Sequence, residues 1–357
     1  MVVCHFHATI KGNMRLRVIL ALFGSAAWTV SASAADLAPL ELVADVPLSG
    51  AAARFDYQSL DVANNRLYIA HMDADQLVVF DTKARSVVAT LAGFPRIHGV
   101  IVVPELNRVY ASATGDHEVF AVDTETLKII ARAGPIHYPD GLAYAPGVKR
   151  IFVSDEHGNA DAVVDAITGA LVKTIPLGGN AGNTVYDPGS GKILVAVSQK
   201  DELVMIDPAS EAIIGRYSLP GIEGPHGVAL DVSARLAFVA GEGNNKLAVF
   251  DLSSMRVLGT YAVGRGPDVL AFDPGVKTLY VAAESGQVTV FQEDENNLVF
   301  NGRINMPHAH TVSVDPQTHL VYFPLQNLNG HPVLRIMTPA EYVRATLAGK
   351  SDTKKSK

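Results

Sequence analysis

A repeat of about 42 residues is the feature that most constrains this chain of 357 residues. Each copy has short apolar runs rich in β-branched residues, separated by turns rich in Gly, Pro and Asp, which is typical of consecutive antiparallel strands. The second strand of each copy has an equivalent apolar residue. These seven reference residues follow one another at spacings of 42 residues, with one spacing of 44. Four short strands fit this length, and radially repeated four-stranded sheets form a β-propeller. The seven copies therefore predict an all-β, seven-bladed propeller of four-stranded antiparallel blades. The reference residues are Tyr68, Tyr110, Phe152, Leu194, Phe238, Tyr280 and Tyr322.

The two ends of the repeat region predict how the ring closes. The last copy has only three strand patterns and ends near Pro339, whereas residues 40–48 form a spare strand pattern at the other end. We expect this N-terminal strand to complete the last blade, because the pairing would cover two exposed sheet edges. The propeller is thus predicted to span residues 35–339. Residues 340–357 are predicted to form a short helix and a disordered Lys-rich tail.

Residues 1–34 have the pattern of a leader and signal peptide. A basic start at Met14–Arg17 precedes an apolar stretch and the A-x-A cleavage site Ala32–Ala34. Translation starts at either Met1 or Met14, and a retained N-terminal anchor is the alternative to cleavage. We expect an exported protein, in the periplasm, with no membrane span after cleavage.

Composition excludes several kinds of chemistry in the processed chain. Its single cysteine, Cys4, lies in the leader, so neither a disulfide, a thiolate ligand nor a catalytic thiol is expected. Without a C-x-x-C-H motif or a Gly-rich loop between strand and helix, neither covalent haem nor a nucleotide is predicted. Loss of residues 1–34 removes three basic residues and no acidic ones, which changes the formal net charge from −7 to −10.

The repeat resembles a known family in four short motifs. These are Gly266–Pro267 before a first strand, Asp273–Gly275 at its end, Leu279–Val281 in a second strand and Val249–Asp251 closing a third strand. They are similar to the YVTN-type, YncE-like β-propeller repeat proteins, and the resemblance covers nearly all of residues 40–339. It implies an exported seven-bladed propeller with relatives among lactonases and lyases. Such a resemblance does not by itself transfer an activity.

Ionisable residues recur at the predicted mouth of the central channel. The residue twelve positions before the reference residue is Asp or His in six of the seven blades. Neighbouring blades alternate between carboxylate and imidazole, and only Gly182 breaks the ring, beside an Asn183 that can partly fill the gap. The six ring residues are Asp56, His98, Asp140, His226, Asp268 and His310.

Three interpretations of this ring remain open from the sequence. Asp–His hydrogen bonds could tie the blades together around a hydrated channel. Alternatively, the six residues hold a divalent metal ion, since imidazole and carboxylate suit Zn, Mn, Ni or Cu. In the third interpretation they act as acid and base on a bound substrate without a metal.

The remaining histidines extend this interpretation to the surrounding loops. Of the ten histidines after residue 34, nine fall in connections that open onto one face of a propeller. We predict a functional face there, which binds a divalent metal ion or a small polar ligand. A metal-dependent lactonase or lyase is the first alternative, and a protein-interaction scaffold that uses the propeller rim is the second. The predicted ligand-binding residues are His71, His137, His157, Asn183 and His308.

A ring of cations on the opposite face does not predict nucleic-acid binding. Arg66, Lys192 and equivalent residues in four other blades follow the first turn of each repeat. Acidic residues such as Asp61 and Asp187 precede them across the same turn, and we expect local pairing and turn bonding. Net negative charge and the lack of interleaved aromatic residues also argue against a nucleic-acid partner.

Overall fold

The computed structural model of the chain describes residues 38–342, and nearly all regular structure in this part is β-strand. Its first strand is β1 (Leu40–Pro47). Blade 1 comprises β2 (Gln58–Asp61), β3 (Arg66–His71), β4 (Gln76–Asp81) and β5 (Ser86–Ala92). Blade 2 comprises β6 (Ile97–Val103), β7 (Arg108–Ala113), β8 (Glu118–Asp123) and β9 (Ile129–Ala133). Blade 3 comprises β10 (Pro139–Ala145), β11 (Arg150–Asp155), β12 (Ala160–Asp165) and β13 (Leu171–Pro176).

The remaining blades repeat the same order. Blade 4 comprises β14 (Ala181–Asp187), β15 (Lys192–Val197), β16 (Glu202–Asp207) and β17 (Ala212–Ser218). Blade 5 comprises β18 (Pro225–Asp231), β19 (Leu236–Gly241), β20 (Lys246–Asp251) and β21 (Arg256–Ala262). Blade 6 comprises β22 (Pro267–Asp273), β23 (Thr278–Ala283), β24 (Gln287–Asp294) and β25 (Asn297–Asn305). Blade 7 comprises β26 (Ser313–Val314), β27 (Val321–Leu328), β28 (His331–Pro339) and β1.

The described strands confirm the predicted seven-bladed propeller. They form seven four-stranded antiparallel sheets. The first strands of successive blades contact one another, and β26 of blade 7 contacts β2 of blade 1, so the blades form a closed ring. The predicted closure is also confirmed, because β1 pairs antiparallel with β28, Leu40 opposite Pro339 and Pro47 opposite Val333.

Both termini extend beyond the described part of the chain. Residues 340–342 are helical. The rest of the predicted terminal helix, the Lys-rich tail and the predicted leader lie outside the described residues. Within residues 38–342, no helix has the length and apolar character needed to cross a membrane.

The core consists of seven apolar clusters, one between each pair of neighbouring blades. The seven reference residues are all buried there, as the repeat predicts. Tyr322 of blade 7, for example, packs with Phe55 and Phe80 of blade 1 and thereby joins the last blade to the first. Burial of these large side chains between sheets supplies the main driving force for ring assembly.

A one-residue β-bulge interrupts the outer strand of every blade. In β5 the register jumps between Ala89 and Val87, so Val88 has no partner and is 48% exposed. The other outer strands have the same irregularity. Bulges twist an edge strand and disturb its hydrogen-bonding row, which discourages edge-to-edge association.

Several cations of the opposite face are paired, but with other acids than the sequence suggested. Arg66 contacts Asp81 at 2.5 Å and Lys192 contacts Asp207 at 2.9 Å. In each case the acid ends the third strand, on the neighbouring strand of the hairpin. Asp61 instead accepts hydrogen bonds from Asn64 and thereby stabilises its own turn. Cross-strand proximity therefore prevails over proximity along the chain.

Candidate functional site

A second set of bulges, in the inner strands, positions the polar ring. In β6, Ile97 lies opposite Ala113 and Val100 opposite Ala111, so His98 and Gly99 together face one residue of β7. The inner strands of blades 3 to 6 have the same shift at their ring position. A bulge redirects the side chain of the extra residue. In blades 2 to 6 the repeat therefore specifies one redirected residue per blade at the same end of the channel.

Two glycines allow neighbouring blades to approach closely at the ring. A Cβ atom on Gly99 would lie 2.0 Å from the carbonyl oxygen of Asp140, and one on Gly227 would lie 1.8 Å from that of Asp268. No side chain fits at either place. The two glycines therefore let the backbones of adjacent ring residues meet across the blade boundary.

The ring residues lie close together, with carboxylate and imidazole groups alternating. His226 Nδ1 is 3.3 Å from Asp268 Oδ1, and His310 Nε2 is 3.9 Å from Asp268 Oδ2. On the other side of His310, the same Nε2 is 3.9 Å from Asp56 Oδ1, and Asp56 Oδ2 is 3.9 Å from His98 Nε2. Asp140 joins Asp56 and His98 in a group whose ligand atoms lie within 4.8 Å of one another. Six adjacent blades thus contribute an unbroken series of His and Asp.

Two imidazoles in this series are available for a ligand. The Nδ1–H group of His98 donates to the carbonyl of Arg96 at 2.7 Å, which leaves Nε2 as the acceptor facing the ring. The O–H group of Tyr138 lies 3.3 Å from this Nε2. His310 is only 3% exposed, and its Nε2 has no hydrogen-bond partner among the described residues. Buried polar atoms are rarely left unpaired, so this nitrogen calls for an explanation.

The ring opens into a polar pocket of about 170 Å³. The repeat position four residues after the reference residue adds three glutamates, Glu156, Glu242 and Glu284, to its wall. This shared register is a signal in the sequence from which all three could have been predicted as pocket residues. Arg54 and Tyr138, each fourteen residues before a reference residue, also line the pocket, and that position is too variable between blades to indicate a site.

The dense negative charge separates the acidities of the ring carboxyls. Burial, together with the charge of Asp56, raises the pKa of Asp140 well above its usual value. Burial acts in the same direction on Asp268, but the contact with His226 outweighs it and lowers the pKa. Burial opposes protonation of His226, yet the carboxylate of Asp268 and the nearby Glu242 raise its pKa. The ring therefore contains one carboxyl with a raised pKa and another with a lowered pKa, the latter beside an imidazole whose pKa is raised.

Blade 4 deviates from the ring for a steric reason. A Cβ atom on Gly182 would lie 2.7 Å from Cα of His226, so no side chain fits there. The next residue, Asn183, is buried and accepts a hydrogen bond from the O–H group of Tyr57 in blade 1. The Tyr57 oxygen is also 3.4 Å from Asp140 Oδ2. Asn183 therefore contacts Tyr57, a residue that lines the pocket and that the sequence analysis did not identify as its partner.

Like Asn183, the four other predicted ligand-binding residues do not line the pocket. His71 is buried with its ring stacked on Phe55 at 4.0 Å, and burial lowers its pKa. His137 and His308 are exposed, and His157 is exposed against Tyr138 at 4.2 Å between ring centroids. Their loops open onto the same face, but their side chains do not reach the pocket.

Comparison with known proteins supports the fold and goes no further. No protein-family model matches the chain, and no curated protein matches it. Among solved structures, Hydrazine Synthase of Kuenenia stuttgartiensis superposes with a TM-score of 0.71 and 15% sequence identity. The match covers 82% of this chain and 97% of that chain. At this identity the similarity establishes that the chain shares the β-propeller architecture, and the site must be interpreted from its own residues.

Proposed function

We propose that this chain is an exported YVTN-type β-propeller that binds one divalent transition-metal ion at the ring of His98, His226, His310, Asp56, Asp140 and Asp268. The observation that carries the proposal is the buried His310 Nε2, which has no hydrogen-bond partner among the described residues and lies 3.9 Å from a carboxylate oxygen on each side. A cation at the ring would give this nitrogen its missing partner. It would also neutralise the carboxylates that crowd the pocket. Export rests on the leader pattern, and the family assignment rests on the repeat motifs.

The spacing of the donor atoms favours a transition metal. Two ligands at about 2.0–2.1 Å from a tetrahedral Zn²⁺ are separated by about 3.4 Å. The measured separations of 3.3–3.9 Å approach this value, and most exceed the length of a direct hydrogen bond. Mixed imidazole and carboxylate donors suit Zn, Mn, Ni or Cu, whereas Mg and Ca prefer oxygen alone. The hydrogen bond from His98 to a backbone carbonyl is the kind of contact that orients metal-binding histidines.

The proposal is tested by metal analysis of protein purified without an affinity tag. We expect one equivalent of metal after loading with Zn²⁺ and gel filtration, and a loss of at least tenfold in affinity for His226→Ala and His310→Ala. His137→Ala is the matched control, because it removes an exposed imidazole from the same face. If the wild-type protein retains no metal, or if the three variants bind it equally well, the ring is not a metal site.

A metal-dependent lactonase or lyase is the second candidate. It is supported by the opposite pKa shifts of Asp140 and Asp268, since paired carboxyls with separated acidities commonly serve as acid and base. Ions of this class can also polarise a carbonyl or activate water. Turnover of a lactone panel that is lost on chelation and restored by metal would support this activity. A protein-binding rim is the third candidate, supported by Phe300, which is 56% exposed on the outer strand of blade 6.

A further inference from the structure

Besides the group of Asp56, His98 and Asp140, the ring and its glutamates form two groups of potential metal ligands that share one residue. The first group consists of His226, Glu242 and Asp268, and the second consists of Asp268, Glu284 and His310. Within each group the ligand atoms lie within 4.8 Å of one another. A carboxylate shared in this way can bridge two ions about 3.5–4 Å apart. The ligand geometry alone would therefore allow a second ion beside the first.

The two groups differ in what contacts their glutamate. Glu284 forms a two-point ion pair with the guanidinium of Arg54, with N–O distances of 2.6 and 3.2 Å. Glu242 has the imidazole of His226 as its ionic neighbour, at the longer distance of 3.9 Å. Paired hydrogen bonds of this kind fix both the position and the orientation of a carboxylate. Glu284 is thus engaged, whereas Glu242 can turn toward a ligand.

We propose that Arg54 acts as a built-in cation that holds Glu284 and thereby prevents a second metal ion from binding beside Asp268. This inference rests on the proposed function. Its charge acts on Asp56 and Asp268 as well as on Glu284, as that of a bound ion would. The nitrogen that carries the proposed function lies at the same position, because Nε2 of His310, on a side chain 3% exposed, has no hydrogen-bond partner among the described residues and lies beside Asp268. Removal of the guanidinium frees Glu284, so a second ion can bind and share Asp268 with the first.

Comparison between blades provides the matched control. Arg96 lies in blade 2 at the repeat position that Arg54 has in blade 1, fourteen residues before the reference residue. Arg96 is exposed, and it does not line the pocket. Arg96→Gln therefore removes the same charge from the same repeat position without freeing a pocket carboxylate. Arg54→Lys retains a positive charge beside Glu284.

The experiment measures the number of Zn²⁺ ions bound per chain, by elemental analysis after loading and by calorimetric titration. We expect one for the wild type, Arg54→Lys and Arg96→Gln, and two for Arg54→Gln. The double variant Arg54→Gln/Glu284→Gln should return to one, because it lacks the freed carboxylate. Thermal melting of each apoprotein shows that the variants are folded.

The outcomes separate this inference from the proposed function. If Arg54→Gln binds one zinc ion per chain, or if the wild type binds two, Arg54 does not have the proposed role, but the metal site itself is not refuted. Two equivalents in the double variant also overturn the role of Arg54, because Glu284 would then not be a ligand. A wild-type protein without zinc refutes the proposed function itself.

Discussion

Substitution of Gly227 by alanine tests whether the close contact between blades 5 and 6 builds the site. The added Cβ would lie 1.8 Å from the carbonyl oxygen of Asp268 and 2.5 Å from Cδ1 of Leu270. Side-chain Cβ atoms are essentially never closer than 3.0 Å to such neighbours, so the two strands must separate by at least 1.2 Å. We expect a loss of about 3 kcal/mol or more in unfolding free energy, since insertion into a packed interior typically costs 1–3 kcal/mol.

The same displacement should weaken metal binding without any change to a ligand. His226 directly precedes Gly227, and its Nδ1 lies 3.3 Å from the Asp268 carboxylate. Metal–ligand distances tolerate shifts of about 0.2 Å, far less than this separation of strands. We therefore expect Zn²⁺ affinity to fall by at least about tenfold. The melting temperature should fall by about 6 °C, at about 2 °C per kcal/mol for a domain of this size.

Thermal melting of the apoprotein and calorimetric titration with Zn²⁺ measure the two effects. Gly147→Ala is the matched control, because a Cβ there meets nothing within 4 Å, and it should melt within about 1 °C of the wild type. If Gly227→Ala melts and binds zinc like the control, the blades are not in contact at this point. The account of the ring as a product of inter-blade packing would then be wrong.

Two further predictions concern the base of the pocket and a buried carboxyl away from the ring. Tyr57→Phe leaves the acceptor of Asn183 without its donor, so urea unfolding should show a loss of about 1–2 kcal/mol, while zinc stoichiometry stays unchanged. An equal unfolding free energy for both proteins would contradict this contact. Burial raises the pKa of Asp161 to about 7, although Thr184 donates to it at 2.6 Å. Because this folded-state pKa lies above the unfolded value of about 3.9, the carboxyl makes the wild type progressively less stable as pH rises from 4 to 7. Asp161→Asn removes this loss, so its stability relative to the wild type should increase by on the order of 2–4 kcal/mol across that interval, and a constant difference would refute the shift.

The repeat made the fold predictable because spacing along the chain translates directly into position around the ring. The single spacing of 44 residues reflects an insertion of two residues that does not disturb the alignment of the blades. Six residues separate β17 from β18, whereas four separate β5 from β6, so the two extra residues lie in a connection between blades. Counting from the second strand therefore still places His226 at the ring.

Contacts across the axis were beyond sequence reasoning, because they depend on side-chain length and direction. The pairs Tyr57–Asn183 and Arg54–Glu284 join blades that are distant in sequence, and no shared register marks both partners. Because side-chain direction could not be predicted from the sequence, His71 was wrongly expected to bind a ligand. Its loop opens onto the functional face, but its ring stacks on Phe55 in the core.

The deviation of blade 4 gives the pocket its base. At the inner-strand bulges the first residue forms the ring, and the second residue lies one step deeper in the channel. Where Gly182 leaves the first position without a side chain, the second position supplies Asn183, and the same position in blade 1 supplies Tyr57. Both residues line a cavity of about 350 Å³ between the inner strands, and their hydrogen bond joins blades 1 and 4. A solute that enters from the ring face therefore meets the hydrogen-bonded pair of Tyr57 and Asn183 before it reaches the channel. At the gap in the ring, Asn183 and Tyr57 thus form a second polar layer between the candidate metal site and this cavity.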